Sequence, residues 1–438
     1  MIPPTKQLLR EVFSRTLGSI DIPEVMAQKV EISPNRLVLP QQPVDIPEGA
    51  RFLLVAVGKA AHGMAAGMIP LLPEGVSYRG MIAAPTVPTA PLDRFEYFVG
   101  GHPIPNQESW RAAEAVLSLL STCDKNTVVL FLLSGGGSAL LERPLDPAMT
   151  LQDVQELNRA LVTCGAPIDA INTVRRHLSA VKGGRLAVAA GAATKITLAV
   201  TDVPAGKEAA LASGPTLPDP TTVRDVQRIF SEYQLMTRFS PSLRQWLQEG
   251  QLPETPKLDH PAFTNAHFSL LLGMEELFHA AHHALEARGY LCCCDNTTDD
   301  WPVEKAAEYL LELLDSFRRE NPGERVAVIA DGEVASPVTG NGIGGRNSAF
   351  VLACAEKIAG RNIVVLSAGT DGMDGNSPAA GAVADGTTLA RAQGLGLSPG
   401  EAFRQSDAYS FFARLDDAIV TGPTGNNLRD LRILATAP

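Results

Sequence analysis

Cysteine is scarce here: six residues in 438, three of them consecutive at Cys292, Cys293 and Cys294, with Cys123, Cys164 and Cys354 scattered. Neither a CxxC pair nor a zinc-knuckle spacing occurs, which excludes a disulfide framework and a thiolate metal site and points to a reducing, cytoplasmic setting. Also missing is an uncharged apolar run of the ~18 residues that a membrane span requires. The N-terminal stretch MIPPTKQLLREVF has no apolar core of the signal-peptide kind. Basic side chains are in deficit, with 37 Lys+Arg against 48 Asp+Glu and a net charge of −11, so a general nucleic-acid or anionic-membrane binder is excluded. Any anionic ligand must be met by a local cationic site. With 45% hydrophobic and 19% charged residues, the composition is that of a packed chain rather than a disordered or collagen-like one.

What the chain does have is alternation. Short apolar runs trade places with amphipathic stretches, the pattern of βα units on a mostly parallel sheet, so the fold class is α/β. Phe52–Val57, Thr127–Leu133 and Ile196–Val200 read as buried strands, each ending in a polar, Gly-rich or Pro-rich turn. Between Ser240 and Pro261 four prolines stand among polar residues, and a domain boundary is expected there. The expected division is a Rossmann-like domain over 40–238, a linker over 239–261, and a second α/β domain made of 1–39 and 262–438. The amphipathic start, Lys6 to Thr16, is expected to pack on that second domain. A homo-oligomer is compatible with this organisation.

Six motifs could carry chemistry. In open α/β sheets ligands bind beyond the carboxyl ends of strands, and Lys59 in VAVGKAAHGMA stands at such a place; with Ala60 after Gly-Lys it is not a Walker A lysine. The run Ser134-Gly135-Gly136-Gly137-Ser138 follows a strand; glycines let backbone approach an anion, and the serines would add hydroxyl donors. In NTVRRHLSAVKGGRLA, Asn172, Arg175, Ser179 and Lys182 fall at helical spacing, and Arg175 and Lys182 could bind a carboxylate or phosphate. Gly340, Gly342 and Gly345 satisfy GxGxxG, but the next candidate acid, Asp371, comes 26 residues after Gly345, so the loop is read as presenting Arg346 to a phosphate, flanked by Gly344 and Asn347. Asp371 and Asp374 in SAGTDGMDG could hold Mg²⁺ or take a hydroxyl proton. The loop TGPTGNNLRD, with Asn426, offers amides that suit a sugar acid or nucleotide. His102 in GGHPIPNQES sits on a loop after EYFVG and is a candidate substrate ligand. The histidines 279, 282 and 283 and the three adjacent cysteines read as structural.

Taken in order, GKAAHGMA, GGHPIPNQES, SGGGSALLERP, NTVRRHLSAVKGGRLA, TDVPAGKEAALASGPTLPDPTT, GGRNSAF, SAGTDGMDG and TGPTGNNLRD resemble the glycerate 2-kinases that carry a C-terminal MOFRL domain. The resemblance spans nearly the whole chain. It implies ATP- and Mg²⁺-dependent phosphorylation of D-glycerate to 2-phosphoglycerate on two α/β domains, an N-terminal α/β/α sandwich and a MOFRL-type domain, with an interdomain cleft. It implies catalytic roles for Lys59 and Arg346; Asp371 is read beside them as a catalytic carboxylate, and Asp202 in TDVPAGKE as a substrate or phosphate ligand. The chain departs from the family pattern at TDVPAGKE, at Asn106 in GHPIPN and at Gly425-Asn426-Asn427. Two other readings stay open: an NAD(P)H-dependent hydroxypyruvate reductase using His102 as general acid, and an inactive binding or sensor homologue.

Overall fold

The computed structural model describes residues 5–436 other than 202, 204, 205, 251 and 427. It divides into two compact units, one made of 22–272 and the other of 1–21 with 273–438.

The unit 22–272 is organised by a six-stranded sheet. Its strands are β1 (Arg51–Val57), β2 (Tyr78–Ala84), β3 (Phe95–Val99), β4 (Thr127–Ser134), β5 (Thr194–Val200) and β6 (Ala266–Leu272). All neighbours are parallel and the order is β3-β2-β1-β4-β5-β6. This is the doubly wound order, in which the chain reverses its direction of travel between β1 and β4. β4 is buried along its whole length and β1 beyond Arg51, so both faces of the sheet are covered, as continuous Val/Leu runs demand. On one side Leu53, Val55, Val129 and Phe131 pack with Ala112, Ala113 and Val116 of the helix Gln107–Leu120. That helix starts at Asn106, whose side chain accepts from the Ser109 N–H in a capping box. The Asn that departs from the family's usual Asp therefore keeps a function Asp and Asn perform equally well.

Two sequence expectations about boundaries are corrected. The segment 239–261 is no linker: Pro241–Gln248 is a helix whose Leu243 and Trp246 join a second core with Val154, Leu161, Val174 and Phe230. The strand within FSLLLG pairs with β5 as the sixth strand, so the first unit extends to Leu272 rather than stopping before 239. A proline-rich polar stretch marks surface exposure, and here the surface belongs to a helical excursion between β5 and β6. At the other end, residues 22–39 also belong to this unit, where Lys29 Nζ donates to the Leu271 carbonyl at 2.8 Å.

The second unit holds a mixed sheet: β7 (Leu291–Asp295), β8 (Val326–Ala330), β9 (Ile363–Gly369), β10 (Gly381–Asp385), β11 (Ala418–Ile419) and β12 (Asp430–Thr436), in the order β7-β8-β12-β9-β10-β11. β12 runs antiparallel between β8 and β9, with Arg432 opposite Ala330 and Asp430 opposite Gly369. The start of β12 therefore shares one end of the sheet with the carboxyl ends of β8 and β9. Phe350, Val351, Val328, Leu310 and Phe412 lie in its core. The helix Lys6–Ser19 packs in this unit, where Arg10 donates to the carbonyls of Asp416 and Ala418. Among the described residues no helix is long and apolar enough to cross a membrane.

Candidate active site

In the first unit the sequence motifs converge at the switch point. Lys59 follows β1 and the glycine run follows β4, and the two turns are joined: Lys59 N–H donates to Gly135 O at 2.9 Å and Ala60 N–H to Ser134 Oγ at 3.0 Å. Gly58, at φ +127°, must be glycine because a Cβ there would collide with Ser134. His102 arrives from the loop after β3: a Cβ on Gly136 would sit 3.3 Å from its ring and 3.6 Å from Lys59 Cγ. Partial desolvation first, then the charges of Lys59 and Arg175, push the His102 pKa down. Arg175, in the helix Ile168–Leu178, is itself largely desolvated; its Nε is buried without a hydrogen-bond partner among the described residues. Lys59 and Arg175 thus bring positive potential to His102 and the glycine loop beside it, in a chain that is acidic overall.

Two residues expected to touch the ligand have other work. Ser134 is fully buried and its hydroxyl holds the Lys59 turn. Lys182 is 1% exposed, and its ammonium donates to Glu142 Oε2 at 2.6 Å and to the Leu141 carbonyl at 3.0 Å. Helical spacing suggested one face for Arg175, Ser179 and Lys182, but the helix stops at Leu178. Ser179 and Lys182 instead meet on Glu142, whose Oε1 accepts from Ser179 at 2.6 Å. Their role is to hold a buried carboxylate whose field also reaches Arg175. Of the SGGGS run, Gly135, Gly136, Gly137 and Ser138 remain as the candidate cradle. Asp202 lies outside the described residues.

In the second unit Arg346 opens the helix Arg346–Lys357. It is gripped from β12: Nε donates to Asp430 Oδ2 at 2.5 Å and Nη2 to Asp430 Oδ1 at 3.2 Å, while Glu333 lies 2.7 Å from Nη2. Burial opposes its charge, but Asp430 and Glu333 more than offset that and raise its pKa. Asp374 is turned to the helix that Arg346 opens rather than to open space. Its carboxylate, 1% exposed, accepts the Asn347 and Ser348 N–H groups at 2.9 Å each and Ser348 Oγ at 2.6 Å. It caps the helix, and Asn347 is likewise buried, accepting from Ser367 Oγ at 2.6 Å. Asp371 is half-buried; a Cβ on Gly369 would lie 3.1 Å from Asp371 Oδ1 and 3.3 Å from Asp430 Oδ1, so both carboxylates approach Gly369. Asn426 is buried with an unpartnered side-chain oxygen. Gly344 donates its N–H to Asn376 Oδ1 at 2.8 Å. Among the described residues no trio of His, Cys, Asp or Glu forms a metal cage.

Residues 8–248 match a domain of unknown function, DUF4147, and residues 326–430 match the MOFRL family. A D-glycerate 2-kinase of Thermotoga maritima is 34% identical over 417 residues, covering 94% of this chain and 96% of that protein. The chain belongs to the glycerate 2-kinase family. A crystal structure of glycerate kinase from the same organism superposes with a TM-score of 0.85 at 31% identity, covering 98% of this chain and 99% of that one. Another relative, from Agrobacterium vitis, bears the name putative hydroxypyruvate reductase and is 33% identical over 98% of this chain and 94% of its own. The family's α/β, two-domain character agrees with the sheets described above.

Sequence reasoning missed Glu142, Asp430 and Glu333 altogether. Glu142 and Asp430 carried a signal of sorts, since each is an acid inside a motif already singled out, in SGGGSALLERP and TGPTGNNLRD. Replacing Asp430 by Asn removes the charge that orients Arg346, and kcat should fall about 10- to 100-fold with a smaller change in KM, as steady-state kinetics would show.

Proposed function

We propose that this chain is a glycerate 2-kinase, transferring the terminal phosphoryl group of ATP to O2 of D-glycerate. The observation that carries this reading is the cationic glycine cradle of the first unit, with the unsatisfied Arg175 N–H, at the switch point where doubly wound sheets take their ligands. Lys59 would neutralise charge on the transferring group, and Arg175 with the backbone of Gly135–Ser138 would hold an anionic group of the substrate. In the second unit Arg346, oriented by Asp430, would stabilise phosphate oxygens, and the unpartnered acceptor of Asn426 suits a ligand hydroxyl or amine.

Mg²⁺ in such reactions arrives with the nucleotide, binding one or two carboxylates plus phosphates and water rather than an all-protein cage. The residues present fit that mode, with Asp371 as the ligand and Asp430 beside it. When bound, the ion would neutralise charge on the phosphates. Asp374, committed to its helix, is not proposed as a ligand.

The reductase reading loses its one motif. Gly340 and Gly342 are glycines because Gln405 and Asp407 pack against them, and Gly345 because Asp374 does, so GxGxxG serves protein packing rather than a pyrophosphate. A coupled assay decides. ADP release on adding D-glycerate to the enzyme with Mg²⁺-ATP, and 2-phosphoglycerate among the products, is the expected result. NADH consumption with hydroxypyruvate and no ATP would overturn it; tight glycerate binding without turnover would favour a sensor.

A pH effect follows from His102. Its pKa is depressed by burial and by Lys59 and Arg175, and an anion bound between them would relieve that depression. Binding and proton uptake then favour each other, so KM for D-glycerate should fall as the pH drops from 7 toward the His102 pKa. His102→Gln should flatten the profile.

A further inference from the structure

Beside the glycine cradle the chain holds an unusual backbone. Ala212, Ser213 and Gly214 are three successive residues in the left-handed region, at φ +50°, +59° and +60°, and two of them are not glycine. Such a run persists only where its surroundings over-determine it. Here they do: Gly183 and Gly184 donate their N–H groups to the carbonyls of Ser213 and Gly214 at 3.1 and 2.8 Å. On the other side Ala212 packs so closely on Gly137 that a Cβ there would lie 2.8 Å from its own. The strained turn delivers one side chain, the fully buried Ser213 hydroxyl, between two others. It lies 2.9 Å from Ser138 Oγ and donates to Asn172 Oδ1 at 3.0 Å.

A hydroxyl has a single proton. With the Ser213 proton on Asn172, the Ser138 proton must point to Ser213, and Ser138 is left offering only lone pairs to whatever enters the cradle. We infer that Ser138 is an acceptor for a substrate hydroxyl, and that Ser213 and Asn172 are positioning residues that fix this polarity and so make the cradle selective for hydroxy acids over acids without the hydroxyl. This rests on the glycerate kinase reading and reverses the simpler expectation that the loop serines donate to an anion. A site whose buried acceptor waits for a donor rejects analogues that lack it.

Three variants test the arrangement. Ser213→Gly removes the hydroxyl while suiting the left-handed backbone, so its melting temperature should hold or rise. Its KM for D-glycerate should rise about tenfold with kcat within threefold, and Ser138→Ala should do the same without adding to it in the double variant. Asn172→Asp keeps the acceptor and should keep KM within about threefold. Competitive inhibition by lactate and by 3-hydroxypropionate, each lacking one hydroxyl, gives the specific readout. The Ki of one of them should be unmoved by Ser213→Gly, while the other rises in step with KM. If KM is unchanged, if both Ki values rise alike, or if Asn172→Asp is as impaired as Ser213→Gly, the inference falls. Glycerate binding to the wild type by calorimetry without ADP release would sink the kinase reading instead, and leave the Ser213→Gly effect on that binding as the test of Ser138.

Discussion

Lys59→Met should lower kcat/KM for D-glycerate by about 10³-fold, roughly 4 kcal/mol of transition-state stabilisation. The side chain is exposed, and the backbone N–H bond to Gly135, which joins the two turns, is one that methionine retains. A fixed positive charge at the developing negative charge is worth this much because it needs no reorganisation when the reaction occurs. Lys59→Arg keeps the charge but presents it on a planar, longer guanidinium, so it should recover only part of the loss. Single-turnover measurements of phosphoryl transfer check both, and a Lys59→Met enzyme with wild-type turnover would remove this residue from the mechanism.

The second large effect concerns stability. Glu142→Leu leaves the Lys182 ammonium buried against no carboxylate, and breaking a buried pair from one side costs about 3–5 kcal/mol. For a unit of this size the melting temperature should fall on the order of 10 °C. Burial already depresses the Lys182 pKa, with Glu142 opposing the shift. Without Glu142 the folded chain releases a proton that the unfolded chain keeps, so the deficit should be larger at pH 7 than at pH 10. The double change Glu142→Leu with Lys182→Met should regain most of the stability, since neither charge is then left alone. Chemical denaturation at the two pH values measures all of this.

These two residues also show where sequence reasoning ends. Lys59 was legible because its position after a buried Val/Leu strand, at the mouth of a helix, carries meaning in any doubly wound sheet. The glycine run was legible for the same reason, and Arg346 by its place after a glycine-rich loop. Lys182 was misread because helical periodicity assumes the helix continues, and it ends at Leu178. Asp374 was misread because a carboxylate in a Gly-rich turn looks the same whether it faces a cation or the N–H groups of a helix distant in sequence. The proline-rich stretch near 250 was misread because composition reports solvent exposure, not membership of a sheet.

The sequence by itself determined the α/β class, most strand positions, the family and the residues around which a site would be built, because these depend on local periodicity and on short motifs whose backbone chemistry is self-contained. Tertiary structure decided which charges are available. The strand order brought β1 beside β4, put Glu142 under Lys182 and Asp430 beside Arg346, and pressed a left-handed turn against Gly137. Whether a charged group meets a ligand or a buried partner is set by contacts between residues tens to hundreds of positions apart, and no local pattern encodes them.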